Sequence, residues 1–316
     1  MADGHPTYLY WRGERRPWEE ATIHVTNLGW STIGAVFEGI RAYWSAEREE
    51  LYIFRLEEHL ERLARSMKLV RLPLEHSTAE LTEIIIDLLR ANEVRTDTYI
   101  RPLGYNANAG NKRMAQMGNE SELLISTSEM PSHLGSGQTQ HARVSSWTRI
   151  SDNVMPPRVK NLSNYRNGQL ATMEVREDGY DVAIMLNPQG KVAEAPGACV
   201  AIVRDDTLIT PDVTSGILES ITRDALITLA REDLGIEVVE RPVDRTELYL
   251  ADELFTCGTA AEITPVVSVD RYQIGDGEIG PVTRQLETLF HDVLRGEHAR
   301  WAHWRTPVWA GVPIPA

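Results

Sequence analysis

Hydrophobic positions recur along this chain first with the period of strands and then with that of helices. Thr7–Trp11 reads as a strand, Arg12-Gly13-Glu14 as a turn and Arg15–Trp18 as the partner strand. Phe37–Trp44 and Leu51–Phe54 read as two further strands around the polar turn SAEREE. The period then changes: Leu56, Leu60, Leu63, Met67 and Val70 fall on one face of a helix over Leu56–Val70. Ser77 and Glu80 stand at capping-box spacing and open a second helix that ends near Arg90. Strands at Thr98–Tyr105 and Glu122–Ser128 flank NANAGNKRMAQMGNE (106–120), a polar run without period. It reads as a long loop, either a functional lid or a plain surface excursion.

MPSHLGSGQTQ (130–140) carries Pro, Gly and Ser without periodicity and reads as a linker. Beyond it the pattern gives a strand at Arg143–Trp147, a helix at Asn164–Arg176 and strands near Asp181–Leu186, Lys191–Ala195 and Cys199–Val203. A helix at Leu218–Arg231, a strand at Ile236–Arg241 and a short helix near Arg245–Ala251 follow. Strands from Glu253 to Val269 and a closing helix at Pro281–Leu294 complete it. Mixed elements in two blocks predict an α/β (α+β) architecture. The expected division is a smaller N-terminal α/β domain over 1–130, a linker at 131–141 and a larger C-terminal domain over 142–316.

Composition narrows the chemistry. With 316 residues, 42% hydrophobic and 25% charged, the chain is long enough for two cores and too apolar for disorder. A formal net charge of −14 argues against a nucleic-acid surface or an anionic membrane as partner. No apolar run approaches a membrane span, and the N-terminal residues lack an apolar leader, so a soluble cytoplasmic protein is expected. Cys199 and Cys257 are isolated, no CxxC or His/Cys cluster suggests a metal, and the pair fits a reducing compartment. Lys68, Lys112, Lys160 and Lys191 are the only lysines, a short list for any lysine-dependent reaction.

No Walker, GxGxxG, HExxH or GxSxG motif is present. Instead the chain carries separated pieces: FEGIRAY (37–43), FRLEEHLERL (54–63), YIRPL (99–103), VKNLSNY (159–165), GKVAEAPG (190–197), SITRDAL (220–226) and ADELFTCGTAAEITPV (251–266). In that order and spacing the chain resembles the branched-chain amino acid aminotransferases. These are fold-type IV enzymes dependent on pyridoxal 5′-phosphate (PLP), with the two-domain D-amino acid aminotransferase-like fold. The resemblance covers nearly the whole length.

The resemblance implies a role for each matching residue. Lys160 matches the lysine that holds the cofactor as a Schiff base, Tyr165 the tyrosine on its phenolate oxygen, and Glu194 the glutamate on its pyridine nitrogen. Arg62 matches the phosphate arginine, and Ile221, Thr222 and Thr259 the donors around the phosphate. Tyr99 and Arg101 match substrate-recognition residues, the Thr259–Ala260 backbone the receptor of the substrate carboxylate, and Phe37 and Trp30 further substrate contacts. The implied partners are an amino donor and a keto-acid acceptor, 2-oxoglutarate with branched-chain donors. A homodimer or higher oligomer is implied too, in which the 106–120 loop completes the neighbour's pocket. Taken singly, Lys160 reads as a surface lysine, Glu194 as a turn cap and Arg62 as part of a solvated helix face. Arg101 alone reads as one half of an ordinary ion pair, and Thr222 as a helix cap. His24, His59 and Cys257 read as structural.

The match departs from the family at the pocket wall. NLGWSTIGAVFEG places Thr32 near a position usually aromatic, with Trp30 two residues earlier and Ile33 in place of glycine. Ala195-Pro196-Gly197-Ala198-Cys199 replaces the usual Gly-x-x-x-Asn, Ser220 stands where glycine is common, and the 106–120 loop lacks the familiar pattern. Such changes put substrate range in question more than reaction type, so (R)-amines, D-amino acids and a lyase reaction on the same fold stay open.

Overall fold

The computed structural model describes residues 5–107 and 120–311. The chain divides into two compact units. Unit 1 comprises residues 1–132, 159–163 and 292–316, and unit 2 comprises 133–158 and 164–291. The division falls between Ser132 and His133. The sequence reading put the whole of 142–316 in the second domain. The structure corrects it: the Val159–Ser163 strap and the C-terminal segment pack with unit 1. Val159 is an apolar residue of the unit 1 core, and Val36 bridges Asn161, which is why the strap belongs there.

Unit 1 opens with β1 (Tyr8–Trp11), β2 (Glu14–Pro17), α1 (Leu28–Ile33), β3 (Val36–Phe37), β4 (Ile40–Ser45) and β5 (Glu50–Phe54). It continues through α2 (Leu56–Leu69), α3 (Thr78–Ala91), β6 (Thr98–Asn106) and β7 (Ser121–Glu129). Its last strand is also the last of the chain, β17 (Arg305–Pro307). Among the described residues these strands form one antiparallel sheet in the order β17-β5-β4-β6-β7-β1-β2, with β3 beside β6. On β6 the residues Thr98, Ile100, Pro102, Gly104 and Asn106 are buried, while Tyr99, Arg101, Leu103 and Tyr105 line the opposite, more open face. The buried face packs on α2 and α3 through Leu56, Leu60, Leu63, Met67, Leu81 and Ile85. Each such side chain contributes about 1.5–3 kcal/mol when withdrawn from water. Gly104 permits the close approach of α2, since a Cβ there would lie 2.8 Å from the Met67 thioether. The capping box at Ser77 forms in both directions, Ser77 N–H to Glu80 (2.7 Å) and Glu80 N–H to Ser77 (3.3 Å).

Unit 2 contains β8 (Gln140–Val144), α4 (Asn164–Glu177), β9 (Val182–Ile184), β10 (Glu194–Ala195), β11 (Ala198–Arg204) and β12 (Thr207–Thr210). Then follow α5 (Ile221–Glu232), β13 (Val238–Glu240), α6 (Arg245–Tyr249), β14 (Glu253–Gly258), β15 (Glu262–Val269), β16 (Tyr272–Gln273) and α7 (Pro281–Arg295). The sheet order is β13-β12-β11-β14-β15-β8-β9, with β10 on β11 and β16 on β15. The pairs β12–β13, β15–β8 and β8–β9 are parallel, and the rest are antiparallel. The sequence reading missed α1, β12, β16 and β17, and it placed β8 at Arg143–Trp147, some residues too late. Among the described residues no helix is long and apolar enough to cross a membrane.

Candidate active site

The chemistry-bearing residues of unit 1 gather on one face of α2. His59, Arg62 and Ser66 are spaced i, i+3 and i+7 and are 1%, 5% and 1% exposed, so a polar stripe lies buried beside the leucine stripe. The stripe meets Glu38, which follows β3 and has no exposed surface. Arg62 donates through Nε to Glu38 Oε1 (2.7 Å) and through Nη2 to Oε2 (2.8 Å), a bidentate fork. His59 Nδ1 lies 2.8 Å from the same Oε2. Burial pushes the Glu38 carboxyl upward, but the Arg62 guanidinium and the His59 hydrogen bond outweigh it and hold the carboxyl well below the ordinary carboxylate range. Burial also drives His59 below its ordinary value, with Arg62 and Lys160 adding to the effect against the pull of Glu38. His59 is therefore a neutral imidazole. Because a carboxylate only accepts, its Nδ1 carries the hydrogen.

Lys160 belongs to the same cluster. Its carbonyl accepts the Phe37 N–H (2.9 Å), and its own N–H approaches Ser66 Oγ at 3.4 Å. Its ammonium group lies 5.0 Å from the centre of the buried Phe37 ring. Ala35 accepts from Leu162 N–H (2.9 Å), so the strap is tied on both sides of the lysine. Tyr99 lies over Gly39: a Cβ there would sit 2.1 Å from the tyrosine hydroxyl oxygen, so the FEG glycine makes room for the ring. Arg101 is exposed on the open face of β6 and, with Thr32, lines a cavity of about 410 Å³. Leu9, Trp11, Trp18, Leu103 and Leu124 give that cavity apolar walls. The side chain of Trp30 and residues 108–119 of the expected loop lie outside the described residues.

In unit 2, Glu194 is 5% exposed and Arg149 8% exposed, and the two pair at 2.5 Å. The second carboxylate oxygen accepts the Leu218 N–H (3.1 Å). The backbone of Glu194 is fixed by a tight hairpin, with Glu194 opposite Cys199 and Ala195 opposite Ala198. Pro196 and Gly197 make the turn of this hairpin. Tyr165 stands in the first turn of α4, half-buried.

The N-terminus of α5 begins at Ile221 and Thr222, both buried, behind Ser220, whose hydroxyl accepts the Arg223 N–H (3.2 Å). A helix start of this kind favours an anion. Arg223 of the same motif is structural: it reaches Thr210 (3.1 Å), the Pro211 carbonyl (2.9 Å) and Glu240 (2.9 Å). Thr259 and Ala260 sit in the β14–β15 turn. Glu262 closes that turn with φ +46°, a left-handed conformation that costs a side-chain residue about 1–3 kcal/mol. Its buried carboxylate accepts the His133 N–H (2.9 Å), and Thr264 Oγ1 bonds the Ala261 carbonyl (2.8 Å).

The model of the amino-transferase class IV family matches residues 35–269. The chain belongs to the class IV aminotransferases. A probable branched-chain-amino-acid aminotransferase of Aquifex aeolicus is 43% identical over 303 residues, which cover 96% of this chain and 97% of that protein. The crystal structure of the Thermobaculum terrenum branched-chain amino acid aminotransferase in its PLP form is 52% identical. It superposes with a TM-score of 0.94, covering 97% of this chain and 99% of that one. A T.th. branched-chain amino acid aminotransferase, complexed with N-(5′-phosphopyridoxyl)-L-glutamate, is 36% identical, with a TM-score of 0.87 and coverage of 96% and 99%.

In this aminotransferase the sequence reading named Lys160, Arg62 and Phe37, which the structure brings together in unit 1. It missed Glu38, Arg149 and His133. Glu38 stood in plain sight within FEGIRAY, and the signal for its partners was available: His, Arg and Ser recurring on one helix face beside a leucine stripe cannot all be solvated. Nothing local marks Arg149, since its partner is 45 positions away in the chain.

Proposed function

We propose that this aminotransferase uses pyridoxal 5′-phosphate to move the amino group of branched-chain L-amino acids to 2-oxoglutarate. The observation that carries the reading is the Lys160 strap, which fixes this lysine beside the buried Arg62 fork. Each unit carries donors whose chemistry suits the cofactor: unit 1 an amine for its aldehyde and a guanidinium for its phosphate, unit 2 a helix N-terminus for an anion and a paired, buried carboxylate for a pyridine N–H. Bound there, the cofactor would supply an electron sink for the electrons of the substrate Cα–H bond.

The protein's own tasks follow. Lys160 Nζ would hold the cofactor at its aldehyde carbon and is the amine placed to move the substrate Cα proton. Arg62, Ile221, Thr222 and Thr259 hold the phosphate, and Tyr165 the phenolate oxygen. Glu194, paired with Arg149, would face the ring nitrogen and favour its protonated form. The Thr259–Ala260 backbone receives the substrate α-carboxylate. Phe37 and Tyr99 bound the side chain, and Arg101, which lines the apolar cavity, takes the second carboxylate of the acceptor. The complex of the T.th. enzyme with a phosphopyridoxyl-glutamate supports glutamate and 2-oxoglutarate as that amino-acid and keto-acid pair.

An absorbance spectrum tests the reading. The expected band at the visible edge is bleached by L-leucine and restored by 2-oxoglutarate. A band that leucine leaves untouched would remove the branched-chain assignment and keep the cofactor. An Arg101→Ala variant should lose 2-oxoglutarate and glutamate while keeping leucine, and unchanged glutamate kinetics would remove Arg101 from the acceptor site. We place the enzyme in the cytoplasm as a homodimer. Its two buried free thiols suit a reducing compartment; fractionation to an oxidising compartment, or a fully active monomer on sedimentation, would refute these two assignments.

A further inference from the structure

We infer that Glu38 is a positioning residue for the cofactor phosphate: its carboxylate fixes the Arg62 guanidinium in register with Lys160. The inference rests on the reading of Arg62 as the phosphate arginine.

The connections of Glu38 give the reason. One residue before it, the Phe37 N–H bonds the Lys160 carbonyl (2.9 Å), and the Glu38 N–H itself bonds the Pro102 carbonyl of β6 (2.9 Å). Its side chain grips Arg62 through two N–H groups and takes a third hydrogen bond from His59. The backbone of residues 37–38 is thus tied to the lysine that meets one end of the cofactor. The carboxylate of residue 38 is tied to the arginine that meets the other. An arginine side chain has four rotatable bonds and loses much rotamer freedom when held in one pose. The fork supplies that hold in advance, so binding need not.

Stability alone gives no reason for the arrangement. A carboxylate with no exposed surface has a desolvation penalty of several kcal/mol, and well-packed apolar residues in its place would be about as stable. His59 joins the cluster as a neutral donor, so it orients Glu38 without adding charge. The Glu38–Arg62 pair then presents a guanidinium whose plane is set and whose charge is already compensated on the side away from the incoming anion.

The test compares pyridoxal 5′-phosphate with pyridoxal, which lacks only the phosphate, as ligands of the apoenzyme followed by absorbance. For Glu38→Gln we expect the affinity for pyridoxal 5′-phosphate to fall by about tenfold or more, the scale seen when the partner orienting a charged ligand is lost. Pyridoxal affinity should change by less than about twofold, because the phosphate interaction alone is removed. Equal losses for both ligands would show Glu38 to be merely structural and overturn the inference. Tighter binding of pyridoxal 5′-phosphate would do so as well, by showing that the carboxylate repels the phosphate more than it orients the arginine. Arg62→Gln separates the two readings. If it leaves the ratio of the two affinities unchanged, the phosphate role of Arg62 falls; if it changes the ratio and Glu38→Gln does not, only the positioning role falls. Should Glu38→Gln fail to fold, Glu38→Asp keeps the buried charge but shortens its reach, and the same ratio decides.

Discussion

Replacing Arg149 with methionine removes the guanidinium that pairs with Glu194 at 2.5 Å and leaves the carboxylate with the Leu218 N–H as its remaining described bond to the backbone. Methionine fills much of the volume, so the dominant effect is the loss of the opposite charge beside a buried carboxylate rather than a cavity. Breaking one side of a buried pair costs about 3–5 kcal/mol. With a urea slope of about 3 kcal/mol per molar, the unfolding midpoint of the cofactor-free protein should fall by about 1–1.7 M. Adding Glu194→Gln to Arg149→Met removes the second charge, and the double variant should be more stable than the sum of the single losses by about 2 kcal/mol or more. Additive losses, or a cost below about 1 kcal/mol for Arg149→Met, would show that Arg149 does not hold the carboxylate.

Three further outcomes follow from the described contacts. Ser77→Ala removes the side-chain acceptor of the α3 capping box and should destabilise unit 1 by about 1 kcal/mol, read as a lower melting temperature; no change would mean that α3 is held by its leucine face alone. Glu38 and His59 both titrate lower in the folded protein than unfolded, so each adds stability that is present at high pH and lost on acidification. The loss should begin near about pH 6.5 for His59 and deepen below about pH 4.3 for Glu38, the unfolded values of the two groups. The melting-temperature gap between the parent and Glu38→Gln should then shrink in acid, and a constant gap would contradict the assignment. Burial holds the Cys199 thiol well above its ordinary range and pushes Cys257 up to about 12, so a thiol reagent at pH 8 should label neither until the chain is unfolded. Rapid labelling of the native protein would show that β11 and β14 open locally.

The legible parts of this molecule were those where one physical cause acts over many residues. The leucine stripe of α2 and the capping box of α3 were each visible because local pattern and structure agree. α1 was not, because Leu28 and Ile33 leave their apolar side chains exposed and give no amphipathic signal. β12 was hidden behind the Asp205-Asp206 turn, whose residues both adopt positive φ and close a hairpin too tight to show as two separate runs. The strap at Val159–Ser163 was assigned to the wrong unit because its membership is decided by Val159 packing and two backbone bonds, none of which leaves a mark on neighbouring residues. The motif residues could be named one by one from family resemblance, but the buried groups that orient them could not: such a partner is chosen by three-dimensional proximity.

Those partners share a logic. Arg62 and Glu194 are the charged side chains assigned to the two polar extremes of the cofactor, phosphate and pyridine nitrogen, and each is buried against an opposite charge within its own unit. A lone buried guanidinium or carboxylate would have a penalty of several kcal/mol and would relieve it by moving toward solvent or changing its protonation. Pairing removes that incentive, so both groups stay in place before any ligand arrives. The five donors of a guanidinium and the four lone-pair sites of a carboxylate allow each to serve its partner and a ligand group at once. Orientation thus precedes binding, and little polar reorganisation remains when charge shifts during the reaction. On this argument Glu38 and Arg149 are equivalent devices. The double-mutant coupling expected for Arg149 with Glu194 should therefore be found, with the same sign, for Glu38 with Arg62.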